Sequence, residues 1–152
     1  MRKGFGLVQA LIVIVLISGI MAIAMKYATI SVKQTSDLYA KESAELFMDS
    51  AIELTLLAIS GYDRTLYNNC LIDVNITSAD KRFKADVNIT QYFLLVGSAD
   101  SGFCDRNVPI QMEESHGMVM LEATVRVNED NDANAKIKDK YIRLTRRTLQ
   151  RP

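Results

Sequence analysis

The chain is poor in the side chains on which most enzyme active sites depend. Its 152 residues include one histidine, His116, and two cysteines, Cys70 and Cys104. No serine or cysteine lies in a known nucleophile motif, and no glycine-rich phosphate loop occurs. The cysteines have neither a second pair nor nearby histidines, as a zinc site would require. We therefore expect no catalytic residue, no enzyme activity and no cofactor.

The chain also lacks net charge. It has 18 lysine and arginine residues against 18 aspartate and glutamate residues, which gives a formal net charge of zero. There is no overall positive field that would indicate nucleic-acid binding and no acidic excess that would indicate disorder. Once a membrane segment is set aside, 152 residues are too few for two ordinary domains, so we expect one small globular head.

Charged residues are missing altogether from residues 5–25, where only Gln9 and Ser18 are clearly polar. At about 1.5 Å per helical residue this segment is roughly 31 Å long, close to the ~30 Å hydrocarbon thickness of a bilayer. Arg2 and Lys3 precede it, and the positive-inside tendency therefore holds the N-terminus in the cytoplasm. The sequence predicts a single-pass membrane protein whose remaining residues are exported.

Export would bring both cysteines into an oxidising compartment, so we predict a Cys70–Cys104 disulfide. By restricting the unfolded chain, a loop of this length stabilises the fold by roughly 3 to 4 kcal/mol. That amount matters in a small head with a thin core. The alternative is a pair of buried free thiols.

The apolar N-terminal segment has three interpretations. As a secretory signal peptide it would be cut after Ala24, and a periplasmic binding domain beginning at Met25 would be released. Its apolar run is, however, longer than the ~7 to 15 residues typical of such peptides. As a plain signal anchor it would keep Met1 and hold a binding domain at the membrane. The third interpretation rests on the very short basic leader that ends at Gly4, with Phe5 opening the apolar helix.

This start, Lys3-Gly4-Phe5 directly before a membrane-length helix, resembles the class III signal of type IV pilins and of type II secretion pseudopilins. The resemblance implies that a prepilin peptidase cuts between Gly4 and Phe5 and methylates the new amino group of Phe5. The helix would then join other pilins or pseudopilins at an inner-membrane assembly platform. The head would lie in the periplasm, and after assembly in a periplasmic or cell-surface fibre.

Gln9 departs from the family pattern. The family has a glutamate at the fifth residue after the cleavage point, where it neutralises the N-terminal ammonium of a neighbouring subunit, since an unpaired charge in an apolar core is costly. The Gln9 carboxamide can accept a hydrogen bond from that ammonium but cannot cancel its charge. The resemblance therefore implies a minor subunit at or near the fibre tip.

The apolar segment is expected to continue as one helix to Ser60, because no proline precedes Pro109. Gly61 would end it in a left-handed cap. From Ala44 onward, apolar residues recur at steps of three and four, which predicts a helix face that covers a sheet. These residues are Phe47, Met48, Ala51, Ile52, Leu56 and Ile59.

Four later stretches alternate with the period of half-buried strands: Leu71–Thr77, Phe83–Thr90, Met118–Asn128 and Tyr141–Leu149. Together with the helix they predict an α+β fold, in which a long N-terminal helix packs on an antiparallel sheet of about four strands. The helix-first order matches the pilin fold. The expected segments are a leader peptide at 1–4, a transmembrane half-helix at 5–25, an exported half-helix at 26–60 and a head at 61–152.

Two motifs give weaker signals of modification and metal binding. Asp73–Thr77 recurs as Asp86–Thr90, and Asn75 and Asn88 in these copies resemble bacterial N-glycosylation acceptors, although half-buried strands also favour such alternation. Oxygen side chains alternate in a late loop as they do in calcium loops, but the glycine and glutamate of an EF-hand are missing, so a hairpin turn is preferred. The calcium candidates are Asp130, Asp132 and Asn134.

The C-terminus is basic, which raises the possibility of DNA binding. No aromatic side chains are interleaved with its arginines, so a solvated edge or a contact with a neighbouring subunit is the preferred interpretation. DNA is therefore not an expected partner. The arginines are Arg143, Arg146, Arg147 and Arg151.

Overall fold

The computed structural model describes residues 5–98, 102, 104–128 and 142–152. It divides into two compact units, residues 1–39 and 40–152, which we describe separately. The cleavage residue Gly4 and the calcium candidates Asp130, Asp132 and Asn134 lie outside the described residues. The elements in chain order are α1 Phe5–Ser60, α2 Arg64–Tyr67, β1 Asp73–Thr77, β2 Phe83–Leu95, β3 Asn107–Ile110, a short 3-10 turn Glu113–Ser115, β4 Met118–Val127 and β5 Arg143–Gln150.

The first unit consists of the N-terminal part of α1. All of its described side chains are exposed, although most of those in residues 6–25 are apolar. The absence of proline and of charged residues from this stretch leaves the helix without a breaker. The described residues of this unit therefore do not pack on a core of their own.

In the second unit, the C-terminal part of α1 packs on the sheet, as the three- and four-residue spacing predicts. Ala44, Met48, Ala51, Ile52 and Ile59 are buried in one core with residues of β2 and β4. Phe47 and Leu56 pack at its margin, and the Phe47 ring stacks on Phe83 with 6.3 Å between the ring centroids. The acidic residues predicted for the opposite side lie at exposed or half-buried positions: Glu42, Glu45, Asp49 and Glu53.

The sheet runs in the order β1-β2-β4-β5 with antiparallel neighbours throughout, which confirms the α+β class. The buried face of β4 carries the five residues that alternate in its sequence, Val119, Leu121, Ala123, Val125 and Val127. The sheet has one more strand than predicted, because β3 pairs with the end of β2 in parallel. A four-residue strand with Pro109 inside it has too little alternation to be recognised from sequence.

Strand β2 is also longer than predicted, since it continues past Thr90 to Leu95. Its register with β4 shifts between Ile89 and Gln91, which leaves Thr90 as an inserted residue. The insertion exchanges the faces, so that Ile89 is buried before it and Tyr92 and Leu94 are buried after it. The bulge thus explains why the alternation read from the sequence stops at Thr90.

The end of α1 differs from the predicted cap. The helix ends at Ser60 as expected, but Gly61 does not have a positive φ angle; positive φ occurs instead at Gly97 and Gly117 among the glycines. The Gly61 N–H donates to the Leu57 carbonyl at 3.1 Å, so the last turn closes with an ordinary helical hydrogen bond. The left-handed cap predicted at Gly61 is therefore wrong.

The predicted disulfide is present. Cys70, before β1, is bonded to Cys104, before β3, with 4.9 Å between their Cα atoms. Both residues are buried. Next to the bond, the Asn69 side chain accepts from the Cys70 N–H at 2.7 Å and donates to Asp105 Oδ2 at 2.9 Å. The bond and these contacts connect two segments separated by 34 positions.

Candidate functional site

The first candidate site is the apolar surface of α1 over residues 6–25, which we call the anchor segment. Its large apolar side chains are all exposed: the least exposed is Val13, at 47%, and the most exposed is Met25, at 69%. A helix that is apolar on all sides is unfavourable in water and is suited to a membrane or to a bundle of other apolar helices. The helix is long and apolar enough to cross a membrane, and it is compatible with a single-pass membrane anchor.

Two polar side chains interrupt the anchor segment, and they differ in what they require. The Ser18 hydroxyl donates to the Val15 carbonyl at 2.9 Å, so its hydrogen is satisfied within the helix. Gln9 is exposed and carries two N–H donors and a carbonyl acceptor. In a hydrocarbon medium such a group is costly without a polar partner, so Gln9 favours contact with another polar group.

The basic C-terminal residues do not form a uniform cationic surface. Arg146, on β5, makes an ion pair with Asp49 of α1. The Arg147 Nε lies 3.1 Å from the Met120 sulfur. A groove of about 340 Å³ borders the ion pair, between α1 and β5. These contacts place Arg146 against α1 and Arg147 beside β4.

The two glycosylation candidates lie in strands that pair with each other. Asn75 on β1 is opposite Asp86, and Asn88 on β2 is opposite Asp73. The Asn88 side-chain oxygen Oδ1 accepts from the Arg106 guanidinium at 2.5 Å, and the Asn75 side-chain nitrogen Nδ2 lies 3.4 Å from Asp73 Oδ2. The repeated sequence therefore forms one antiparallel pair whose polar residues share a face.

The lone histidine, His116, lines a cleft of the head, which its place in the sequence does not indicate. The cleft has a volume of about 550 Å³ and lies at the end of α1. Its polar walls include Arg64, His116 and Arg151, which come from three distant parts of the chain. No sequence spacing joins these residues, and only the fold brings them together. The other lining residues are Ile59, Ser60, Tyr62, Asp63, Leu94, Gly117 and Pro152.

Tyr92 contacts Arg64, one of the residues that line this cleft. Its ring is buried, its hydroxyl donates to the Leu71 carbonyl at 2.6 Å, and the Arg64 guanidinium carbon is 5.9 Å from the ring centroid. Burial raises the pKa of Tyr92 to about 12, because the ionised phenolate would lose its hydration. The side chain is thus a neutral hydrogen-bond donor at physiological pH.

Comparison with known proteins finds no match: no protein-family model, no curated protein and no solved structure is significantly similar to this chain. The candidate sites therefore rest on their own chemistry. That chemistry separates into an anchor segment suited to an apolar medium and a head with a polar cleft.

Proposed function

We propose that this chain is a structural and assembly subunit, a minor pilin or pseudopilin, of a type IV pilus or a type II secretion fibre. The observation that carries the proposal is α1 itself. Residues 6–25 of this helix are exposed and almost wholly apolar, whereas residues 40–60 supply part of the core of the head. A removable signal peptide has no need to belong to the same helix as the core of the mature domain.

The apolar side chains of the anchor segment would have an apolar environment both before and after assembly. Before assembly, the bilayer would solvate its apolar side chains, and after assembly the apolar helices of neighbouring subunits would replace the lipid. In the fibre, the Gln9 carboxamide would accept a hydrogen bond from the ammonium of Phe5 on a neighbour without neutralising it. This weaker pairing supports a place at or near the tip, where fewer neighbours are needed.

The N-terminal mass of the protein purified from its own membrane tests the proposal. We expect a chain that begins at a methylated Phe5, because a prepilin peptidase would cut after Gly4. The Gly4→Ala variant should accumulate as an uncut precursor. Gly6→Ala is the matched control, since a Cβ at Gly6 meets no atom within 4 Å, and this variant should mature normally.

Other N-termini would contradict the proposal and identify the alternative. A chain starting at Met25 would be a released periplasmic domain, and a chain keeping Met1 would be a plain membrane anchor. In both cases the head would act as a binding domain, for which its cleft offers a place. Loss of piliation or of secretion on deletion of the gene would separate an assembly subunit from such a domain.

A further inference from the structure

The sheet of the head has an open edge at β1 and another at β5. Within the described residues, β1 pairs with β2 alone and β5 pairs with β4 alone. Such an edge presents backbone N–H and C=O groups to which a strand of another chain can bond. Each edge is therefore a possible contact surface, and its backbone groups and side chains indicate which strand would fit.

Hydrogen bonds at the ends of β1 show which of its backbone groups face the open edge. The Ile89 N–H donates to the Ile72 carbonyl at 2.8 Å, and the Ser78 N–H donates to the Phe83 carbonyl at 2.9 Å. Bonded pairs alternate in an antiparallel ladder, so the even-numbered residues of β1 bond to β2. The odd-numbered residues have backbone groups at the open edge and exposed side chains: Asp73, Asn75 and Thr77.

The same alternation identifies the backbone groups at the open edge of β5. Just beyond the paired strands, the Asn128 N–H donates to the Arg82 carbonyl at 2.8 Å. Even-numbered residues of β4 therefore bond to β2, and odd-numbered ones bond to β5. Because Val125 is opposite Leu144, the even-numbered residues of β5 are those bonded to β4. The residues at the open edge again have exposed side chains: Arg143, Thr145, Arg147 and Leu149.

The two open edges carry opposite charges. The edge of β5 has Arg143 and Arg147, whereas β1 has one carboxylate, Asp73, and no cation. If β5 paired with β5 of a second copy about Thr145, Arg143 would lie opposite Arg147, and like charges opposite each other destabilise a strand pair. Pairing of β5 with β1 brings arginine to aspartate instead. The charges therefore favour contact between the two different edges.

The strand directions allow a second copy to continue the sheet. In the order β1-β2-β4-β5 each strand is antiparallel to its neighbour, so β1 and β5 run in opposite directions. A second copy in the same orientation then places its β1 antiparallel to β5 of the first copy. The core-facing sides of the two sheets lie on the same side of the joined sheet, because no strand has to be turned over.

One register of this pair matches the side chains on both faces. With Asn75 opposite Thr145, Asp73 lies opposite Arg147 on the outer face. On the core side Ile76 then lies opposite Leu144, and both of these residues are partly buried at the margin of the core. A shift of two residues in either direction removes the charge pair, because Asp73 would then be opposite Thr145 or Leu149.

We propose that β5 of one head binds β1 of a second copy of this chain, so that the two sheets form one antiparallel sheet with Arg147 opposite Asp73. The contact joins two different edges, so it leaves one edge open at each end for further copies. A five-residue strand pair is a small contact, and it is suited to copies that a shared membrane already concentrates. The proposal concerns the head and does not rest on the proposed assembly function.

Cross-linking of the full chain in its own membranes tests the contact. Cells make two chains with different tags, one with Asn75→Cys and the other with Thr145→Cys, and their membranes are treated with a short bis-maleimide. We expect a dimer that contains both tags, and little dimer from cells that make either variant alone. The parent chain measures background, since its two cysteines are bonded to each other. Asn75→Cys combined with Ala58→Cys, at an exposed position of α1, measures random collisions.

Charge reversal tests the register. Asp73→Lys on the first chain or Arg147→Glu on the second should each lower the cross-linked fraction by about threefold to tenfold, because each places like charges opposite each other. The two changes together should restore it. Arg143→Glu is the matched control: it reverses the same charge opposite Thr77, should have a smaller effect, and should not be rescued by Asp73→Lys.

Labelling with a monofunctional maleimide shows that each new cysteine is accessible, and an intact native disulfide shows that each variant is folded. Three results would overturn the proposal: a dimer no more abundant than in the collision control, an equal dimer from one variant alone, or no restoration by the paired reversal. None of them bears on the N-terminus expected at Phe5, so the contact and the assembly function can fail separately.

Discussion

At the scale of single residues, the proposed assembly function makes Gln9 the side chain that sets how strongly the chain enters a fibre. If Phe5 of a neighbouring subunit carries a charged amino group in an apolar surrounding, a carboxylate at position 9 neutralises it and a carboxamide does not. The Gln9→Glu variant should therefore be incorporated along the shaft in larger amounts, as measured by quantitative blotting of sheared fibres.

The control for this prediction is Gln34→Glu, which makes the same chemical change at an exposed position of α1 beyond the anchor segment. It should leave fibre occupancy as it is in the parent chain. If Gln9→Glu gives the same occupancy as the parent, charge pairing at position 9 does not govern assembly and the account of Gln9 is wrong.

Tyr92 is the second residue whose chemistry leads to a measurement. Tyr92→Phe leaves the Leu71 carbonyl without its donor at 2.6 Å, and should lower the free energy of unfolding by about 1 to 2 kcal/mol near neutral pH. The variant also removes a titrating group. The free energies of unfolding come from urea titrations of the detergent-solubilised chain at a series of pH values.

The sign of the pH effect follows from the raised pKa. The phenol has a pKa near 10 when unfolded and about 12 when folded, so above pH 10 the unfolded state binds fewer protons than the folded state. The free energy of unfolding of the parent therefore falls as the pH rises from about 10 to about 12. The difference in this free energy between the parent and Tyr92→Phe becomes smaller over the same range. Tyr67→Phe, which removes the same hydroxyl from an exposed ring, is the matched control variant. If the difference in the free energy of unfolding between the parent and Tyr92→Phe stays constant with pH, the pKa of Tyr92 is not raised by burial.

At the scale of elements, the sequence predicts those whose periodicity is unbroken. The buried alternation of β4 runs from Val119 to Val127 without interruption, and its strand is found where it was predicted. In β2 the inserted Thr90 reverses the alternation, so a period-two pattern identifies only the first part of that strand. Strand β3 depends on a partner that is already ordered, and nothing local to it marks a strand.

The same distinction applies to the sites. Each half of α1 consists of contiguous residues, so both halves could be predicted from composition and spacing. The cleft at the end of α1 is formed by residues 59, 60, 62–64, 94, 116–117 and 151–152, which have no common sequence signal. The burial of Thr55 was also not predicted from the sequence. Its hydroxyl donates to the Ala51 carbonyl at 2.7 Å, so the side chain can lie in an apolar face.

The packing of α1 on the sheet depends on small residues. Ala44 and Ala51 have no exposed surface, and the core around them includes β2 and β4 side chains. Ala51→Leu should lower the free energy of unfolding by about 1 to 3 kcal/mol, since the added carbons have no space without displacing the helix. Ala58→Leu makes the same change at an exposed position and should alter it by less than about 0.5 kcal/mol. Equal unfolding midpoints in urea would contradict close packing at Ala51.

At the scale of the whole molecule, the chain combines two segments that need different solvents. Residues 6–25 expose apolar side chains that water solvates poorly, whereas the head has a buried apolar core and a disulfide. A disulfide is stable in an oxidising compartment and is rare in the cytosol. The disulfide is therefore consistent with the proposed export of the head, and the redox state of the two cysteines can be used to test that proposal.

Thiol trapping in intact cells tests this connection. In the full chain, Cys70 and Cys104 should resist alkylation by a maleimide polymer until a reductant is added, because export allows the disulfide to form. Deletion of residues 5–25 should keep the head in the reducing cytoplasm, and both thiols should then be alkylated directly. A Cys70→Ser and Cys104→Ser double variant is the control for background labelling. Thiols that are alkylated in the full chain without a reductant would contradict export of the head. If the thiols become accessible to alkylation only when residues 5–25 are deleted, this segment carries the head out of the cytoplasm.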